Sequence, residues 1–187
     1  MTTAISSQQA TTTWTIDSAH SLVEFSAKHI MITTVKGRFA DFRGTITLDA
    51  HQPAGSSVAV EIATPSLDTH NDQRDQHLRA AEFLEVEKHP LITFRSRGVE
   101  GFSPTEGNKF RLVGDLTIRG VTREIVLDAT YEGQGRDPWG GDRVSFAATT
   151  KIDRREFGLT WNAALETGGV LVSNEIKINL EIQAIAA

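Results

Sequence analysis

Apolar and polar positions alternate with period two over most of the chain from Trp14 onward. Phe42, Gly44, Ile46 and Leu48 are interleaved with Arg43, Thr45, Thr47 and Asp49, and Val58, Val60 and Ile62 with Ser57, Ala59 and Glu61. Phe110, Leu112, Gly114, Leu116 and Ile118 repeat the pattern, followed by Ile125, Leu127, Ala129 and Tyr131. Val144, Phe146, Ala148 and Ile152 form another such run, and Ile176, Ile178, Leu180 and Ile182 the last. Two shorter runs, Val23-Phe25-Ala27 and Ile92-Phe94, obey the same rule. Successive strand side chains point to opposite faces, so each run predicts a strand with one apolar and one wet side. That pattern belongs to antiparallel sheets, because a parallel sheet covered on both faces reads as continuous apolar runs.

The interruptions predict the connections. Apolar parity changes between Phe39 and Phe42, which places a bulge or sharp bend at Ala40 and Asp41. Gly120 marks a tight hairpin, and the glycine-rich stretch 133–141 a longer loop. Residues 72–88 break the alternation with Gln, Arg, Glu, Leu and Ala, and predict one helix or a broken pair. Asn71 or Asp72 would cap its start, and Pro90 forbids its continuation. The total is about eight or nine strands, the number that closes a small barrel or forms a sandwich.

Length and composition narrow the functions. A chain of 187 residues with 39% hydrophobic content suits one soluble domain with a sizeable core. A formal charge of −5 leaves no footprint for nucleic acid or an anionic membrane surface, and no apolar stretch is long enough for a spanning helix. The absence of cysteine removes disulfides and thiolate chemistry. Residues 1–12 are expected to form a flexible tail and residues 13–187 the folded domain. The opening residues lack the basic and apolar regions of a secretory signal, so the expected compartment is the cytoplasm.

Candidate chemistry is sparse. Asp17-Ser18-Ala19-His20 holds the residue types of a hydrolase triad, but neighbours in an extended segment face opposite ways, and a capped turn accounts for them. His70, Asp72, Asp75 and His77 could supply nitrogen and oxygen ligands for a metal-dependent hydrolase, although no established ligand spacing is present. The glycine-rich loop joins two strands rather than leading into a helix, which disfavours a phosphate cradle. What remains is the apolar lining of the sheet. Alternation alone does not distinguish a barrel filled by its own side chains from one with room for a small ligand.

Several phrases together are similar to the YceI-like family of polyisoprenoid-binding proteins. They are Trp14-Thr15-Ile16-Asp17-Ser18-Ala19-His20-Ser21, Lys36-Gly37-Arg38-Phe39-Ala40-Asp41-Phe42-Arg43-Gly44, His77-Leu78 with Phe83-Leu84, and His89-Pro90-Leu91-Ile92-Thr93-Phe94. Gly114-Asp115-Leu116-Thr117-Ile118-Arg119-Gly120-Val121-Thr122-Arg123 and Ile152-Asp153-Arg154-Arg155-Glu156-Phe157-Gly158-Leu159 complete the series. The resemblance runs from Trp14 to about Ile182. It implies an all-β, lipocalin-like antiparallel barrel of eight strands with a helical segment near 72–88, and no catalytic motif. Many relatives carry a secretory leader and work in the periplasm, whereas the opening residues here show none.

The expected ligand is a polyprenyl chain, an isoprenoid quinone or a similar apolar lipid, held for transport, storage or sequestration with no other cofactor. Inward parity nominates Val23, Phe25, Phe39, Phe42, Ile46, Phe94, Leu116, Phe146, Phe157, Trp161 and Ile178 as its lining. Residues 29–32 and 157–161 carry apolar residues outside clean alternation and are expected at the mouth. The alternatives are the metal-dependent hydrolase, built on His70, Asp72 and His77, and a ligand-free scaffold barrel; a homodimer is left open.

Overall fold

The computed structural model describes residues 11–187. The alternating runs form β1 (Thr11–Ile16), β2 (Leu22–His29), β3 (Thr33–Phe39), β4 (Phe42–Asp49), β5 (Ser57–Ala63) and β6 (Leu67–Asp68). They continue as β7 (Leu91–Glu100), β8 (Lys109–Ile118), β9 (Val121–Arg136), β10 (Asp142–Asp153) and β11 (Glu175–Ala186). All pairings are antiparallel, and eight of the strands close a ring in the order β1-β4-β5-β7-β8-β9-β10-β11, with β11 returning to β1.

The three remaining strands continue members of the ring. β1 and β2 both pair with β11, the first through Ala184–Ala186 and the second through Lys177–Glu181, so they act as one long strand interrupted at 17–21. A short 3₁₀ turn makes the interruption, with the Asp17 carboxylate accepting from the Ala19 N–H. β3 and β4 are likewise one strand bent at Ala40–Asp41, the predicted break. β6 extends β5 and pairs with the end of β3. Breaking three strands lets the sheet curl tightly without losing its ladder.

Other connections depart from expectation. β1 begins at Thr11, inside the segment predicted as tail, with Thr11–Thr15 paired to Thr45–Asp49; residues 1–10 lie outside the described residues. The predicted loop at 133–141 shrinks to 137–141, because β9 runs on through Gly133 and Gly135 to Arg136. Asp137 shapes that turn, its Oδ1 accepting from the Trp139 and Gly141 N–H groups. The helix α1 spans only Asp72–Arg79, capped by Asn71, whose side chain accepts from the Arg74 N–H. Residues 80–88 follow as turns rather than helix. The Ala80 backbone is extended and Glu85 is left-handed, and the Glu85 N–H bonds back to the Ala80 carbonyl. Their apolar side chains, Phe83 and Leu84, are buried against the barrel, so packing overrides helix propensity there.

At the β8–β9 hairpin both Arg119 and Gly120 adopt positive φ, the geometry whose twist matches antiparallel strands. Gly114 serves a different purpose: a Cβ there would lie 2.5 Å from Phe94 Cζ, so the bare backbone gives the Phe94 ring its place. The outer face carries cross-strand ion pairs such as Arg43–Glu61 and Arg97–Asp115, which contribute more to solubility than to stability. No helix among the described residues is long and apolar enough to cross a membrane.

Candidate functional site

The inward faces enclose a cavity of about 460 Å³, lined overwhelmingly by apolar side chains. This decides between a filled and a hollow barrel. Phe25, Phe146, Ile178, Leu180 and Ile182 all point inward, yet none is closed off from a water-sized probe. In a filled core they would be, because protein interiors pack to crystal density. The volume falls within the range of small-molecule sites, ~300–1,000 Å³.

Val23, Phe25, Phe39, Phe42, Ile46, Phe94, Leu116, Phe146, Trp161 and Ile178 lie on the cavity wall as inward parity required. Phe157 does not. It is fully buried behind the wall, in the 3₁₀ turn that follows β10, where strand parity no longer applies. Its neighbour Leu159, absent from the sequence-derived set, takes a place on the wall instead.

The two ends of the cavity differ in construction. At one end Phe102, Phe110, Tyr131 and Phe146 cluster with ring centroids 5.0–6.4 Å apart. Burial raises the Tyr131 hydroxyl above its ordinary value, since the phenolate would lie in an apolar environment. Outside this end Arg143 bridges Asp17 and Asp137, each at 2.8 Å, and holds both carboxyls below the usual carboxylate range.

The opposite end is a rim built from α1, the turns after it, the β2–β3 connection and residues 158–174. His77, Phe83 and Trp161 stack there at 4.7–5.3 Å. Of the apolar run 29–32, only His29 reaches the wall. Ile30 and Met31 take left-handed backbone to close the hairpin, and Ile30, Met31 and Ile32 are exposed. The Ile30 N–H donates to the Leu171 carbonyl, tying the hairpin to the 158–174 segment.

Arg154 anchors that segment from beneath. Its Nε donates to the Ser173 carbonyl (2.9 Å), and Nη1 donates to the carbonyls of Leu159 (2.6 Å) and Trp161 (2.9 Å). Sequence reasoning gave Arg154 no role, nor did it foresee the wall positions of Leu78, Phe83, Leu84 and Phe102. A basic residue within the Ile152–Leu159 phrase was visible, but its burial was not.

The residues nominated for a metal are not assembled into one. Among the described residues no group of three or more His, Cys, Asp or Glu side chains is arranged to hold an ion. His70 is exposed and leans on Asp68, while His77 Nε2 lies 2.5 Å from Glu82 and its ring packs on Phe83 and Trp161. His20 pairs with Asp17 on the surface, but Asp17 also binds Arg143 and caps a turn, the structural role set against the triad.

Comparison with known proteins agrees with this architecture. The chain is 43% identical over 141 residues to Protein YceI of Salmonella newport, covering 75% of this chain and 72% of that protein. It is similar in structure to Burkholderia cenocepacia BcnA, with a TM-score of 0.76 at 22% identity, over 90% of this chain and 98% of the other. A polyisoprenoid binding domain from Saccharophagus degradans shares the fold at a TM-score of 0.70 and 15% identity, over 96% and 100% of the two chains. The YceI-like domain model matches residues 14–184, almost the whole described barrel. The chain belongs to the YceI-like family.

Proposed function

We propose that this protein binds a long apolar chain of polyisoprenoid type inside its barrel and carries, stores or sequesters it. The hollow interior carries this reading: inward-facing aromatic and aliphatic side chains surround space that they do not fill. The binding of polyisoprenoid by the Saccharophagus domain of the same fold supports it. Burial of each methylene is worth ~0.8 kcal/mol, so even a short prenyl chain offers ample transfer energy. Ordering a flexible chain consumes much of that gain, and the wall discriminates weakly among apolar chains of similar girth. The mainly apolar wall supports binding rather than turnover as the reading.

Gentle purification, organic extraction and mass spectrometry test the proposal. A co-purifying prenyl or comparable lipid is the expected result; protein that arrives empty and takes up no prenyl lipid on titration would refute it. Phe146→Asp, which puts a carboxyl on the apolar wall, should lower lipid retention at least ~10-fold in protein that still folds, a loss of ~1.4 kcal/mol. Undiminished retention would remove Phe146 from the binding surface.

A further inference from the structure

Five large apolar side chains are exposed among the described residues, and three of them are consecutive: Ile30, Met31 and Ile32, at the tip of the β2–β3 hairpin. Met31 is 63% exposed and Ile32 75%, so neither serves the core. The turn does not call for them either. Ile30 and Met31 have φ of 46° and 66°, the left-handed region that Asn and Gly fill most cheaply in hairpin turns and that a β-branched side chain rarely enters. Apolar residues are thus presented to the outside at a backbone cost.

The tip is held in place at the cavity rim. The Ile32 N–H donates to the His29 carbonyl (3.1 Å), the Ile30 N–H to the Leu171 carbonyl (2.8 Å), and His29 bridges to Val172. Met31 lies along Gly169: a Cβ there would come within 2.7 Å of the Met31 sulfur, so the glycine leaves the thioether its place. Hairpin and 158–174 segment form one surface, and the same two stretches line the cavity through His29, Trp161, Leu171 and Val172.

Size and charge decide what covers this tip. Three side chains expose a few hundred Å² at most, well below the ~800 Å² per partner that a stable protein interface buries. Insertion at the boundary of headgroups and acyl chains needs no shaped partner, only hydrocarbon that can leave water. Residues 25–39 hold no acid and residues 157–174 only Glu166, so no ring of carboxylates resists that transfer. The cations Lys36 and Arg38 pair with Glu24 and Asp68. With the chain at −5 as a whole, the fitting surface is an uncharged bilayer.

We propose that the Ile30–Met31–Ile32 tip docks this protein on an uncharged lipid bilayer, with Met31 and Ile32 among the acyl chains and the cavity rim against the surface. The docking rests on the lipid-binding reading for its purpose: an insoluble chain passes between membrane and barrel by contact, without crossing water.

The test mixes the delipidated full chain with phosphatidylcholine vesicles containing geranylgeraniol, separates the protein at timed intervals and measures its lipid. Uptake should quicken in proportion to vesicle concentration, as transfer by collision requires. Met31→Ser/Ile32→Ser should slow uptake at least ~10-fold, yet bind geranylgeraniol delivered from cyclodextrin as tightly as the unaltered chain. Met31→Leu/Ile32→Leu should restore the rate, and Trp139→Ser, at the opposite end of the barrel, should not change it. Independently of any variant, the unaltered chain should float with plain phosphatidylcholine vesicles. A rate indifferent to vesicle concentration, full-speed uptake by Met31→Ser/Ile32→Ser, or a chain that does not float overturns the docking and leaves the lipid carrier standing. Slowing by Trp139→Ser instead moves the contact to the other end. A dimer in sedimentation that the double serine variant dissolves assigns the tip to a second copy and overturns the proposal too. If geranylgeraniol does not bind from cyclodextrin, the carrier reading fails, while flotation still decides the docking.

Discussion

The two ends of the barrel are made from different materials. The end holding Phe102, Phe110, Tyr131 and Phe146 consists mostly of strand positions, joined by the connections 50–56, 101–108 and 137–141, and its rings pack on one another. The rim is made of a two-turn helix, irregular turns and the 158–174 segment, held by hydrogen bonds from Arg154 and by stacking of Trp161 on His77. Regular strands satisfy their own backbone, so the interior of that end can be lined with hydrocarbon while side chains such as Asn108 and Asp137 serve its turns from outside. Irregular segments leave carbonyls without partners, and a polar side chain has to be buried to serve them. The rim is thus the place where this fold buries a charged side chain, Arg154, against the cavity wall.

That contrast is open to attack by mutation. The largest effect should come from Phe157→Ala, which empties a fully buried site behind the rim: unfolding in urea should show a loss of ~3–5 kcal/mol. Lipid affinity of the folded fraction should hardly change, since Phe157 lies off the cavity wall. A variant that folds normally but releases lipid would place Phe157 back on the binding surface.

Trp161→Ala should behave in the opposite sense. The residue is half-buried at the rim, so stability should fall by only ~1 kcal/mol while stopped-flow release of a bound prenyl lipid quickens several-fold. The same acceleration produced by Phe110→Ala would show that ligand leaves by the aromatic end instead.

The smallest effect concerns acid stability outside the aromatic end. Arg143 holds the Asp17 and Asp137 carboxyls below their ordinary values, with help from His20 at Asp17 and from the Gly141 N–H at Asp137. A carboxyl depressed in the folded state contributes stability that is fully present above the unfolded value of ~3.9 and is lost as pH falls through the folded one. Melting temperature should therefore drop below about pH 4, and drop less steeply in Arg143→Met. An unchanged acid slope in that variant would assign the acid sensitivity to other carboxyls.

Strand after strand could be located from the sequence because a half-buried strand writes its orientation into every second residue. Ile176, Ile178, Leu180 and Ile182 were legible for that reason, and so was the bend at Ala40–Asp41, where the parity slips. The wall residues taken from those runs, Phe25, Phe94 and Leu116 among them, were found in the same way. Parity failed where strands ended. Phe157 looked like an inward residue but sits one turn beyond β10, and the helical composition of 80–88 was overridden by the burial of Phe83 and Leu84. Glycine misled in the other direction: Gly133 and Gly135 suggested a loop, yet they lie within β9 next to a register shift.

By itself, the alternation determined an antiparallel, one-sided sheet of a size that can close, because side-chain direction along a strand is a local property. Whether that sheet encloses space is not local. It depends on how far apart opposite walls stand once eight strands have closed, and on rings such as Phe94 folding over Gly114 instead of filling the middle. The burial of Arg154 belongs to the same class: Ser173, Leu159 and Trp161 converge on it only when the end of β10 and the approach to β11 are brought side by side. Local chemistry set the pattern of the wall; the distance between walls, and the charge left at their edge, came from closure.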